Sequence, residues 1–109
     1  MANTYKVLGQ LAPAAQTLST LYQVPSATSA VCSTLVIANT GTAATTARVA
    51  VRPAGASIDV KHYIIYDVLV ASGDSTFLTL GISLATTDIV SVYANLATLS
   101  FSLFGTEVV

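Results

Sequence analysis

The stretch "STLVIANTGTAATTARVAV", residues 33–51, decides the fold because it joins two β-type segments across one turn. Thr and Val are frequent in it, and β-branched side chains pack well on a pleated sheet. "NTG" at residues 39–41 is a turn signal. After it, Val49 and Val51 alternate with Arg48, Ala50 and Arg52. The stretch predicts a hairpin-like unit of two strands with hydroxyl groups on its outer face.

Arg48 is the only charged residue in this stretch, and charge is scarce throughout the chain. Of 109 residues, 53% are hydrophobic and 8% are charged, against about 25% charged in typical domains. A sheet surface with so few charges invites pairing with other chains. We therefore expect partner molecules to cover it, and predict a homo-oligomer.

The alternation of apolar and polar residues continues outward from this unit. "TLSFSLFG" places Leu99, Phe101 and Leu103 on one face, and "DIVSVYA" alternates in the same way. Turn signals recur at residues 53–55, 72–74 and 86–88, and further strands are expected at residues 20–24, 30–39 and 76–82, with a bulge at Gly81. The pattern predicts an all-β, single-domain antiparallel β-sandwich, jelly-roll or immunoglobulin-like, of about seven to eight strands. A small barrel remains an alternative.

The stretch "HYIIYDVLV", residues 62–70, is apolar on both faces for most of its length. Strict alternation sets Ile64, Tyr66, Val68 and Val70 against Tyr63, Ile65, Asp67 and Leu69. Because a strand that is apolar on both faces is usually buried on both, we expect a central or covered strand here.

Residues 1–19 are predicted to form an extended N-terminal arm or an edge strand, and residues 20–109 the sandwich. Pro13 and a run of small residues favour that interpretation. "MANTYKVLGQ" has no basic leader followed by an apolar core, so we expect no signal peptide and synthesis in a cytoplasm. The sequence contains no run of about 20 apolar residues, so we expect no membrane-spanning helix.

Residues capable of chemistry are few and scattered. His62 is the single histidine and is expected at the surface or at a strand edge, and Cys32 is the single cysteine and is expected to be a buried thiol. Asp74 and Asp88 lie in predicted turns, where Asp commonly accepts hydrogen bonds from nearby backbone. We therefore predict no catalytic, cofactor-binding or metal site, and a protein that is not an enzyme.

Two binding classes can be weighed from the same composition. Lys6, Arg48, Arg52 and Lys61 are too few and too dispersed for a nucleic-acid surface. Most aromatic residues are expected in or around the core: Tyr22, Tyr63, Tyr66, Tyr93, Phe77, Phe101 and Phe104. There is no Trp to form a sugar-binding platform, so a carbohydrate-binding module stands as a lesser alternative.

Three stretches, "LGQLAPAAQTLSTLYQVPSATSAV", "VRPAGASIDVKHYIIYDV" and "LGISLATTDIVSVYANLATLSFSLFGTEV", resemble small structural proteins of tailed bacteriophages. The resemblance implies a compact β-domain in the virion, assembled in a host cytoplasm. It favours a capsid decoration (cement) protein, commonly a trimer, that stabilises the head shell by binding the major capsid protein. A tail, neck or fibre protein is the alternative.

Interface candidates follow from the predicted arm. Its apolar side chains Tyr5, Val7, Leu8 and Leu11 are expected to contact a neighbouring subunit. Arg48 and Arg52 are further interface candidates.

Overall fold

A computed structural model describes residues 2–109 and contains eight β-strands. Two short 3₁₀ turns, Pro53–Gly55 and Val60–His62, lie between the fourth and fifth strands. Neither turn approaches the length that a helix would need to cross a membrane. The strands are β1 (Asn3–Leu11), β2 (Ser19–Gln23), β3 (Ser29–Asn39), β4 (Thr45–Arg52), β5 (Tyr63–Val70), β6 (Ser75–Leu84), β7 (Ile89–Ala94) and β8 (Leu99–Val108).

The strands form two antiparallel sheets, ordered β1-β8-β3-β6 (the first sheet) and β2-β7-β4-β5 (the second sheet). Each of the first four strands pairs with one of the last four: β1 with β8, β2 with β7, β3 with β6, and β4 with β5. The chain therefore follows one long hairpin that is rolled up, so that β3 also pairs with β8 and β4 with β7. This arrangement is a jelly roll. It confirms the predicted all-β sandwich and selects the jelly-roll alternative over the immunoglobulin-like one.

The core lies between the two sheets, where alternate side chains from each strand meet. Leu35, Phe101 and Leu103 of the first sheet and Val49 and Val92 of the second are fully buried. Each such side chain stabilises the fold by about 1.5–3 kcal/mol relative to exposure. The predicted inward face of "TLSFSLFG" is confirmed.

The hairpin predicted for residues 33–51 is wrong, although its turn is correct. β3 belongs to the first sheet and β4 to the second, so residues 40–44 carry the chain from one sheet to the other. Buried Asn39 holds this crossing: its Nδ2 donates to the carbonyls of Ala43 (2.9 Å) and Val70 (3.1 Å). Its Oδ1 accepts from the amide of Gly41 at 3.0 Å. Sheets stacked face to face are about 10 Å apart, a distance that this loop can bridge and a two-residue hairpin turn cannot.

The central or covered position predicted for β5 is also wrong, because β5 is an edge strand of the second sheet and its Ile64, Tyr66 and Leu69 are exposed. Asp67 lies in the left-handed region (φ 56°), and the pairing of β4 with β5 shifts register on both sides of Val49. The irregularity interrupts the alternation, so that Tyr66 and Leu69 are both exposed while Val70 is buried. The predicted face containing Ile64, Tyr66, Val68 and Val70 is therefore divided at Asp67.

Other local predictions are confirmed. Gly81 has φ +67° and lies where β6 shifts register against β3, as expected of a bulge. Asp74 accepts from the amide of Ser75 at 2.8 Å. Asp88 accepts from the amides of Ala54 and Ala85, both at 2.8 Å, and so links two loops.

Gly105 on β8 provides a test of how tightly the strands of the first sheet approach one another. A Cβ at this position would collide with the carbonyl oxygen of Val31 and lie 3.0 Å from the Cα of Cys32. We expect Gly105→Ala to lower the free energy of unfolding by about 1–3 kcal/mol, since overpacking forces backbone to shift. Denaturant unfolding measures this change. Ser102→Ala, on the outward face of the same strand, is the control, and equal effects of the two substitutions would contradict the packing described.

Candidate interaction surfaces

The outer face of the first sheet carries no charged side chain among the residues described, and we call it the uncharged face. The two charged residues on the strands of this sheet, Lys6 and Glu107, lie on its inward side, where they pair with each other. The uncharged face consists of hydroxyl, amide and apolar side chains: Asn3, Tyr5, Val7 and Gln10 of β1, Ser102, Phe104 and Thr106 of β8, Val31, Thr34 and Val36 of β3, and Ser75, Phe77 and Thr79 of β6.

Apolar side chains at both edges of this face are unusually exposed. Tyr5 on β1 is 82% exposed and Phe77 on β6 is 71% exposed, with Val7 and Val31 also in solvent. Cross-strand rows connect the two edges, and one of them runs from Val7 through Phe104 and Thr34 to Thr79. A partner that covered this face would bury apolar area without removing a charge from water. The scarcity of charged side chains and the exposed aromatic residues are also typical of protein interface cores.

The interface candidates of the predicted arm divide between this face and the core. Residues 3–11 form edge strand β1, with Tyr5 and Val7 on the uncharged face. Leu8 belongs to the core and Leu11 packs against it, so neither is available to a partner, contrary to expectation. Alternation alone turns Leu8 inward after outward Val7, and the register shift between Val7 and Gly9 then turns Leu11 inward as well.

Arg48 lies on the outer face of the second sheet, held by its own chain. Its Nε donates to Asp67 Oδ1 at 2.6 Å, and the hydrogen bond to this carboxylate raises the pKa of the guanidinium. Its guanidinium carbon is 4.2 Å from the ring centroid of Tyr66 and 4.6 Å from that of Tyr93. Arg52 is also engaged, donating to Ser91 Oγ (3.1 Å) and to the carbonyl of Ala56 (3.0 Å).

An open groove of about 630 Å³ lies beside this arginine, lined by Ile58, Asp59, Val60, Tyr63 and Tyr66. The rings of Tyr63 and Tyr66 meet edge to face, with centroids 5.1 Å apart. Asp59 Oδ1 accepts from the amide of Val60 at 2.7 Å. The groove therefore combines aromatic rings, phenol hydroxyls and one carboxylate.

His62 is buried, so the surface position predicted for it is wrong, whereas it directly precedes edge strand β5, in keeping with the alternative of a strand edge. The 3₁₀ turn Val60–His62 directs the imidazole inward, where Nδ1 accepts from the amide of Asp59 at 3.0 Å. This hydrogen bond leaves the ring proton of the neutral form on Nε2. The histidine does not line the groove, and within residues 2–109 no three His, Cys, Asp or Glu side chains converge in a way that could hold a metal ion.

Cys32 is fully buried at the centre of the first sheet, as predicted. Burial raises the pKa of the thiol to about 11, which keeps it protonated at neutral pH.

The aromatic residues are less uniformly buried than expected. Tyr22 and Phe101 lie in the core, whereas Phe77 and Tyr66 are mostly exposed. Alternation along β6 places Phe77 outward, and the irregularity at Asp67 leaves Tyr66 outward on β5.

A polar cluster that the sequence did not indicate connects the two sheets. Tyr22 Oη donates to Glu107 Oε2 at 2.6 Å, and Lys6 Nζ donates to Glu107 Oε1 at 3.1 Å. Both hydrogen bonds lower the pKa of the Glu107 carboxyl, and the one from Tyr22 has the larger effect. Burial and the neighbouring carboxylate raise the pKa of the Tyr22 phenol. Tyr22 and Glu107 are 85 positions apart, so only the fold brings them together.

Comparison with known proteins adds a distant likeness to a solved structure. No family model and no curated protein matches this sequence. Among solved structures, "Structure of infectious bursal disease virus Gx strain" is similar with a TM-score of 0.46 and 12% sequence identity. The match covers 97% of this chain and 31% of that one, so this chain spans about a third of the virus chain's length.

The Glu107 cluster predicts how stability depends on pH. The folded-state pKa of Glu107 is lowered, so its contribution is present above the unfolded pKa of about 4.3 and is lost as pH falls through the folded pKa. Tyr22→Phe removes the hydrogen bond that contributes most to the lowered pKa of Glu107. We expect this variant to lose about 1–2 kcal/mol at pH 7 and to show a shallower acid decline than the unsubstituted protein.

Denaturant unfolding between pH 2 and pH 7 measures both effects. Tyr5→Phe is the matched control, because Tyr5 is exposed and its hydroxyl makes no hydrogen bond to the described residues. Identical acid declines for Tyr22→Phe and Tyr5→Phe would contradict the role given to this cluster.

Proposed function

We propose that the protein is a non-enzymatic structural component of a bacteriophage virion, a decoration protein that self-associates and stabilises the head shell. The uncharged face is the observation that carries the proposal. A sheet surface with exposed Tyr5 and Phe77 and without a charged side chain is suited to being covered by protein. The jelly-roll architecture is compatible with this role, since it builds viral capsid domains as well as lectins and cupins.

The dimensions of the face suit a protein interface. Four strands about 4.8 Å apart and about 30 Å long give a surface of roughly 600 Å². A specific interface buries about 800 Å² per partner, so this face with its rim approaches that size. The partners that fit are further copies of this chain and the major capsid protein or another virion protein. No cofactor and no nucleic acid enter the proposal.

The sequence resemblance supports a place in the virion, reached after assembly in the host cytoplasm. Head and tail locations remain distinct proposals, because a tail, neck or fibre protein could use the same fold and face. Electron microscopy of virions carrying a labelled copy distinguishes them. Many copies over the head support the decoration role, and a few copies at the tail support the alternative.

A second candidate function, glycan binding, is favoured by the groove beside Arg48. The rings of Tyr63 and Tyr66 and the carboxylate of Asp59 are groups that bind sugars by stacking and hydrogen bonding. A glycan array tests it, with Tyr66→Ala as the variant expected to lose any signal. The absence of a hit on the array would exclude it.

Binding to empty shells tests the principal proposal. Thr34 lies in the middle of the uncharged face, and Thr34→Lys would place a charge where a partner excludes water. We expect this variant to bind heads lacking the protein at least tenfold more weakly, as measured by cosedimentation. Thr20→Lys, on the second sheet, is the matched control. Equal binding by the two variants would contradict the assignment of this face.

A further inference from the structure

Four strands form the edges of the two sheets, and they differ in how well they could pair with another chain. The edges are β1 and β6 in the first sheet and β2 and β5 in the second. An edge strand presents unpaired backbone N–H and C=O groups, which proteins usually protect with charges, bulges or short strand length.

Three of the edges carry such protection. β1 contains Lys6 and shifts register between Val7 and Gly9. β5 contains Asp67 in the left-handed region, paired with Arg48. β2 is five residues long. Each feature disfavours the addition of a further strand.

β6 is the exception. It runs for ten residues without a charged residue or a proline. Its bulge at Gly81 lies beyond the stretch from Ser75 to Thr79, which pairs regularly with β3. Phe77 lies at the middle of that regular stretch, on the uncharged face, and is 71% exposed.

We propose that β6 pairs antiparallel with β6 of a second copy, about a two-fold axis at Phe77. This inference rests on the self-association proposed above and names the contact that produces it. The axis sets Phe77 opposite its counterpart and Ser75 opposite Thr79, with all of these side chains on the same face. Aromatic pairs and hydroxyl pairs are both favourable cross-strand neighbours. The two first sheets then join into one sheet of eight strands with a continuous uncharged face.

The size of the contact agrees with a dimer of modest affinity. A ten-residue strand is about 33 Å long. The molecule is 19 Å thick, so its β6 edge has an area on the order of 600 Å² per copy. This area is near the lower limit for specific interfaces. The dimer should therefore dissociate on dilution. A two-fold contact also gives an even number of subunits, unlike the trimer that the sequence resemblance implies.

Mass measurement and hydrogen exchange on the full-length protein test this pairing. Light scattering over a hundredfold concentration series should show a shift from monomer to dimer. Over the same series, exchange of those amides in residues 75–79 that point away from β3 should slow at least tenfold as dimer forms, because they become hydrogen-bonded. The exchange measurement uses the unsubstituted protein and does not depend on any variant folding.

Thr79→Lys adds a charge at the proposed contact, and Thr20→Lys adds the same charge to edge strand β2 of the second sheet, away from the uncharged face. We expect Thr79→Lys to weaken dimerisation at least tenfold and Thr20→Lys to leave it unchanged. Thermal unfolding of both variants verifies that they are folded.

The outcomes separate this inference from the proposed function. A trimer, or a dimer with fast exchange at residues 75–79, would overturn the β6 contact and leave self-association intact. A monomer at every concentration would overturn the β6 contact and the self-association together. If that monomer still binds empty shells with residues 75–79 protected, then β6 pairs with a shell protein and not with a second copy. The proposed function itself fails if labelled copies are absent from virions, whatever the mass.

Discussion

The fold depends on the pairing of strands that are distant in sequence. Each of the first four strands is completed by one of the last four, and the outermost pair joins Asn3 to Val108. Only the ladder between β4 and β5 joins strands that are consecutive in sequence. Most of the chain must therefore be brought together before water is excluded from the core. Folding that requires such long-range contacts is expected to be slow, because loop-closure entropy is lost before the contacts stabilise the fold.

Much of the fold was predictable because alternation reports directly which side of a strand is buried. The stripe of Leu99, Phe101 and Leu103 and the bulge at Gly81 follow from local sequence. Alternation does not say which sheet a strand joins, so the crossing held by Asn39 was interpreted as a hairpin. It also fails across a bulge, which is why alternation does not predict the orientations of Leu11 and Tyr66. The failure at Tyr66 falls on the groove where glycan binding is proposed.

The two sheets distribute charge unequally, and this difference separates their roles. On the first sheet the charged pair of Lys6 and Glu107 is turned inward, leaving the outer face neutral. On the second sheet Arg48 and Asp67 lie outside and are partly solvated, beside a groove lined by tyrosines. A neutral face can be covered by a neighbour at little desolvation cost, whereas the charged face is better kept in water. The molecule thus has one side suited to assembly and another suited to remaining accessible.

The single thiol makes the opening of the sandwich measurable. Cys32 pairs with Gly105 on one side and with Ile82 on the other, so a labelling reagent can reach its sulfur only when these strands separate. The rate of modification would then report the frequency of that separation in the intact protein, without a probe being introduced. In the proposed complex with a head shell, the same rate would show whether binding slows the separation of these strands.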